Sequence, residues 1–275
     1  MGTRCFKAEA VQAKPTVQNI LETWVGEPLQ PFQSPLQPFQ SQPFQSQSEP
    51  TNYFYKQHQL LWKVHRSHST YVHYNQIQAL QGGDSFLVQP LHNVQLQHEL
   101  YATSMERGQS DMFTLLETPF DWACVQRYLR HIVHSIHWLH AQNIAHRDLK
   151  FENIIVINKV VKLADFDYSS PLCQERDGGS HHYTPVHLTR ETSHPSQRAD
   201  NYAFGKMLCI LFQRAIQHGH IHSSAIPFIP QLFNEEYAQP NYTHSLPQAW
   251  GYWADICLQC CAQLPPIQIP LIDTT

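Results

Sequence analysis

The stretch HRDLKFEN, from His146 to Asn153, sets acids, bases, a histidine and an amide within eight residues, between apolar segments on both sides. Polar groups at a buried point are costly unless they are paired or used. Twelve residues past Asn153 stands Asp165, in LADFD, and the run between them is IIVINKVVKLA. Two short β-rich halves meeting at Asn158–Lys159 predict a tight hairpin. That hairpin returns the chain so that Asn153 and Asp165 lie at the same end. A set of this kind suits phosphoryl transfer, which asks little covalent work of a protein. It asks for a carboxylate near the attacking hydroxyl, cations on the phosphates and oxygen ligands for Mg²⁺. Asp148 offers the carboxylate and Lys150 the cation, and Asn153 with Asp165 offers oxygen donors that can share metal ions.

The elements that must position this set read as follows. YFYKQHQLLWKV, residues 53–64, predicts two short strands, and QGGD at 81–84 is a turn signal. FLVQPL and MFTLLE are strand-like. CVQRYLRHIVHSIHWLH carries Leu129, Ile132, Ile136 and Leu139 on one helical face. Residues 200–214 and 249–262 read as helical, and VQNILETWV near the start as a short helix. Residues 29–50, with QPFQS three times, combine helix-breaking proline with Gln and Ser, which bury little apolar surface; this predicts an extended, disordered tract. The tract reads as a linker, with a proline-rich ligand for a binding partner as the alternative.

Order and spacing give the chain its resemblance. HRDLKFEN resembles the catalytic loop of the eukaryotic-type protein kinase superfamily, His-Arg-Asp-Leu-x-x-x-Asn. DFD at 165–167 is similar to that family's Asp-Phe-Gly, with the glycine changed. RADNYAFG at 198–205 is similar to the helix whose aspartate, here Asp200, braces the catalytic loop, and GSHHYTP at 179–185 to a substrate-docking segment. The resemblance implies an α+β, bilobal kinase-like fold with a small β-rich first lobe and a larger, trimmed α-helical second lobe. It divides the chain into an extension (1–50), a first lobe (51–118) and a second lobe (119–275). It implies ATP and Mg²⁺ as cofactors and a protein substrate. By position, Asp148 would accept or orient the substrate hydroxyl proton and Lys150 would hold the γ-phosphate, as in the Ser/Thr-specific branch. Asn153 and Asp165 would ligate Mg²⁺. Lys63, in QLLWKV, would grip the α- and β-phosphates. LLETP, residues 115–119, resembles the adenine-binding hinge of Pim-type kinases, with Leu116 as gatekeeper, Glu117 next, and Pro119 lacking the usual N–H donor.

Departures from the family pattern set two functional readings side by side. No glycine lies between Gly26 and Gly82, so the Gly-rich phosphate loop is absent and the PFQS tract occupies its place. No glutamate lies between Glu49 and Glu99, so the helix acid that should pair with Lys63 is missing, leaving Gln76 or Gln78 as neutral substitutes. Asp167 adds a carboxylate beside the metal site, to bind Mg²⁺ or repel the triphosphate. TPVH at 184–187 lacks the family's acid, and no Lys or Arg follows Arg214 to pair with it; losing both is tolerable where losing one is not. The first reading is a weakened Ser/Thr protein kinase; the second is a pseudokinase that acts as a binding scaffold. A small-molecule phosphotransferase is the weaker third. The compact, eroded form is similar to kinases of large DNA viruses.

Composition narrows the remaining classes. The 275 residues suit one large domain or two small lobes, and 42 % hydrophobic residues suffice for a core. A net charge of −4 does not suggest a nucleic-acid or anionic-membrane binder. No run of about 18 apolar residues predicts a membrane span, and MGTRCFKAEA has no apolar centre of a signal peptide. Seven cysteines without a secretory start predict a reduced, intracellular setting, cytoplasmic or nuclear. His131, His134, His137 and His140 read as a solvated helix face, since three-residue steps drift around a helix and do not converge on zinc. Cys257, Cys260 and Cys261 read as part of a buried helix face.

Overall fold

Strand β1 (Gln30–Pro31) and helix α1 (Val17–Val25) begin the fold in the computed structural model, which describes residues 16–28, 30–31, 52–80, 86–96, 99–173, 195–221, 252–253 and 256–257. The rest of the PFQS tract, QGGD, GSHHYTP and TPVH lie outside the described residues. Thr16 caps α1 by accepting the Asn19 N–H, and Gly26, at φ +78°, closes it with an N–H to the Glu22 carbonyl. The apolar stripe of α1 buries Leu21 with Tyr55, Trp62, Val64, Leu100 and Ala102. Helix α1 and strand β1, inside the stretch expected as an extension, thus pack against the sheet.

Strands β2 (Asn52–Gln57), β3 (Leu60–His65), β4 (Pro90–Gln95) and β5 (Tyr101–Glu106) complete an antiparallel sheet in the order β1-β2-β3-β5-β4. The two strands expected in this stretch, β2 and β3, pair as a hairpin that turns at His58 with φ +49°. Since β1 pairs with β2, the PFQS tract is the connection between these two strands. Helix α2 (His68–Ala79), capped by Ser67, packs along β4 and β5 through Thr70, His73, Tyr74 and Ile77. These positions fall on one helical face, but three of the four side chains are polar or aromatic.

The sheet's last strand ends at Glu106, and the chain leaves it through Arg107–Gly108–Gln109. The Arg107 N–H donates to the Gln59 carbonyl and the Gln109 N–H to the Val156 carbonyl. A Cβ on Gly108 would sit 2.0 Å from Ile155 Cγ2, so only glycine fits. Strand β6 (Ser110–Asp111) then leads into helix α3 (Met112–Leu116), where Asp111 accepts both the backbone N–H and the hydroxyl of Thr114. MFTLLE is thus a capped helical turn rather than a strand. Of the stretch expected as a hinge, 115–119, Leu116 is buried in α3, Glu117 is the helix C-cap near Arg214, and Pro119 lies beyond. Residues 107–109 thus bond on one side to the β2–β3 turn and on the other to β8.

Helix α4 (Trp122–Ala141) turns its apolar face, Val125, Leu129, Ile132, Val133, Ile136 and Leu139, into the main core. Strand β7 (Ile144–Ala145) pairs with β10 (Ser170–Pro171), and β8 (Ile154–Ile157) and β9 (Val160–Leu163) form the expected hairpin, with β6 beside β8. Asn158 and Lys159 both have positive φ, +51° and +64°, as a two-residue type I′ turn requires. Helix α5 (Pro195–Gln217) closes the second lobe. Phe86–Val88 ties the two lobes: it bonds to Leu163 in both directions, and His131 stacks on Phe86 while His134 meets its edge. The histidine ridge of α4 is therefore packed rather than solvated. Among the described residues no helix is long and apolar enough to cross a membrane.

Candidate active site

Alternation explains why HRDLKFEN can hold so many polar groups. Leu149 and Phe151 are fully buried in the core, while Asp148 and Lys150 turn to the opposite side. The loop backbone is fixed from below by Asp200 of α5. Its carboxylate accepts the His146 N–H at 2.8 Å, the Arg147 N–H at 2.6 Å and His140 Nε2 at 2.9 Å. Arg147 is held at φ +67°, a conformation that needs such support. The His146 ring meets the Ala164 carbonyl at 2.8 Å through Nε2, which couples the loop to the end of β9.

Asp148 is the hub of the loop. Lys150 Nζ lies 2.7 Å from its Oδ2, and Asn153 Nδ2 donates to the same oxygen at 3.0 Å and to the Asp148 carbonyl at 2.8 Å. Asn153 sits on a single 3-10 turn, Phe151–Asn153, and its carbonyl accepts the Ala164 N–H at 2.9 Å. That bond sets Asp165 beside the loop, as the hairpin predicts. Asp165 has φ +66°, which swings its carboxylate away from the core while Phe166 is buried against Tyr74 and His146. The structure thus brings Asp148, Lys150, Asn153 and Asp165 together.

Lys63 enters from β3. Its Nζ lies 2.7 Å from Asp165 Oδ1 and 2.6 Å from Asp167 Oδ1, and its side chain is only 3 % exposed. Burial works against its charge, but the two carboxylates prevail and hold its pKa well above the ordinary lysine value. Burial alone would raise Asp165; the Lys63 charge and hydrogen bond outweigh it and hold the carboxyl at about 2. Asp167 moves the other way, to about 6, because burial and the neighbouring Asp165 charge exceed the pull of Lys63. The expected glutamine partners are corrected: Gln76 is exposed, Gln78 donates to the Leu91 carbonyl, and α2 offers Lys63 the ring of Tyr74, 5.7 Å from Nζ. Leu116 and Glu117 are not in this group.

The donor set fits a nucleotide-bound Mg²⁺. Asn153 spends its amide nitrogen on Asp148, leaving an oxygen, and Asp165 keeps a 36 % exposed carboxylate; both are hard oxygen donors. Three features escaped the sequence reading: Asp167 and Tyr74 as the groups around Lys63, and Gly108 as the interlobe crossing. The glycine in MERGQSD, just before an Asp-capped run, was the available signal for the last.

Three comparisons bear on this geometry. The family model described as "Protein kinase domain" matches residues 51–245. Cyclin-dependent kinase-like 2 of Rattus norvegicus is 35 % identical over 101 residues, 36 % of this chain and 19 % of that protein. NUAK family SNF1-like kinase 2 of Homo sapiens is 29 % identical over 121 residues, 42 % of this chain and again 19 % of the relative. The matched stretch thus spans about a fifth of the length of these curated relatives. Among solved structures, the Cydia pomonella granulovirus kinase PK-1 aligns with a TM-score of 0.58 at 14 % identity, over 79 % of this chain and 86 % of that one. At that identity the likeness is one of fold.

Proposed function

The chain belongs to the protein kinase family, and from that premise we propose that it is an active Ser/Thr protein kinase, which uses ATP and Mg²⁺ to phosphorylate a protein hydroxyl. The observation that carries the reading is the convergence of Lys150 and Asn153 on one Asp148 oxygen, at 2.7 and 3.0 Å, beside Asp165. Asp148 accepts the proton of the substrate hydroxyl as it attacks. Lys150, already within reach, steadies the charge that develops on the transferred group. Asn153 and Asp165 would hold the metal, and Lys63 would hold the phosphates. Mg²⁺, when bound, neutralises the phosphate oxygens. Asp200 keeps the loop backbone in its strained form, so these groups need not reorganise during the reaction.

The scaffold reading draws on the missing glycine loop and the missing helix acid. The second of these is weakened by the ion pairs of Lys63, which keep the lysine charged and aimed at Asp165 without an acid on α2. Incubation with γ-labelled ATP, Mg²⁺ and a generic protein acceptor tests the proposal. Label on serine or threonine, lost in Asp165→Asn, supports it; nucleotide-independent melting with no label on any residue supports the scaffold. A linker role for the PFQS tract, with a proline-rich ligand for a partner as the alternative, and a reduced intracellular setting belong to the same proposal.

A further inference from the structure

A buried ammonium needs partners, and their source decides how firmly it is held. Helix α2 runs past Lys63 without supplying an acid: HSTYVHYNQIQA contains none. Both carboxylates come instead from one short segment, and they differ. Asp165 has the more open side chain, 36 % exposed against 16 % for Asp167. Asp167 is also fixed through its backbone, whose carbonyl meets His73 Nδ1 of α2 at 3.1 Å. Asp167 thus touches two elements of the first lobe at once: β3 through its carboxylate and α2 through its carbonyl.

We propose that Asp167 is a positioning residue for Lys63. It is the fixed carboxylate that holds Nζ, in place of any acid on α2, and leaves the more open Asp165 free to face solvent. A single Lys63–Asp165 pair would give Asp165 two competing tasks, lysine partner and oxygen donor to a cation. With Asp167 present, Lys63 stays paired when Asp165 turns away. The His73 contact makes the arrangement a strut between α2 and the 165–167 segment. What Lys63 is held for rests on the kinase reading; the strut itself does not.

The test uses the full chain without nucleotide. Trace labelling with acetic anhydride at one fixed pH, read by mass spectrometry, gives the reactivity of Lys63 as a ratio to the exposed Lys159. In Asp167→Asn and Asp167→Gly the ratio is expected to rise roughly tenfold, because one of the two carboxylates that hold the ammonium has gone. Asp167→Glu, which keeps the charge, should restore most of the protection, and Asp165→Asn should raise the ratio less than Asp167→Asn does. Unfolding would raise the ratio as well, since it exposes Lys63 while Lys159 is already exposed; it would equally expose the buried Cys209 thiol, so a rise supports the proposal only where Cys209 stays unreactive to a thiol reagent and counts against it where Cys209 reacts, and Asp167→Glu is compared in the same way. Equal ratios in wild type and Asp167→Gly overturn the proposal, as does a larger rise in Asp165→Asn. A wild-type chain that transfers no phosphate but shows the selective rise keeps the strut and defeats the kinase reading alone.

Discussion

Replacing Asp200 probes how the catalytic loop is held. The carboxylate is fully buried and accepts three hydrogen bonds, from the backbone of His146 and Arg147 and from the His140 ring. Asp200→Ala strands two buried backbone N–H groups, each costing about 1–3 kcal/mol. It also leaves Arg147 in its left-handed conformation without support, roughly another 1 kcal/mol. The sum, about 3–7 kcal/mol, is comparable with the whole net stability of a typical domain. Asp200→Asn keeps one oxygen and should lose only about 1–3 kcal/mol. Equilibrium urea unfolding measures both, with the midpoint falling in the order wild type, Asn, Ala and the slope unchanged. An Ala variant that loses less than about 1 kcal/mol, or one indistinguishable from Asn, would refute the view that this carboxylate organises the loop.

Leu21→Ala should cost about 2–4 kcal/mol in urea unfolding, since Leu21 is fully buried between α1 and the sheet; a neutral result would return α1 to a detached extension. Gly108→Ala places a Cβ 2.0 Å from Ile155 Cγ2, so overpacking of about 1–3 kcal/mol and a lower Tm are expected, whereas Gly26→Ala meets nothing within 4 Å and is limited by its φ alone. His65 is buried between Tyr101 and Tyr74 and beside the Lys63 charge; burial foremost lowers its pKa from 6.5 to about 4. It is neutral in the folded protein while the unfolded chain gains a proton below about 6.5, so its contribution is complete above that pH and is lost as pH falls toward 4. Unfolding measured across this window should show up to about 3 kcal/mol of pH-dependent loss in wild type that His65→Phe lacks.

Local signals were legible and distant ones were not. The β8–β9 hairpin could be read because its strands are apolar and its turn is two residues, and this alone sets Asp165 beside Asn153. The long stripe of α4 was equally plain. α2 was hidden because its buried face is Thr70, His73, Tyr74 and Ile77, which a search for apolar periodicity passes over. MFTLLE was too short for period to separate strand from helix, and the deciding Asp111 cap lies just before it. α1 was read as a helix, but its docking on the sheet depends on Tyr55, Trp62 and Leu100, far along the chain. Asp167 read as a carboxylate near a metal because its contact with Lys63 spans 104 residues.

Single-turnover transfer of the ATP γ-phosphate to a protein acceptor, comparing wild type with Asp148→Asn at matched nucleotide occupancy, addresses the proposed chemistry most directly. The account predicts transfer by wild type and a loss of roughly 10²–10⁴-fold in Asp148→Asn, with nucleotide affinity little changed. Equal rates in the two proteins, or saturable nucleotide binding with no transfer by wild type, would contradict it.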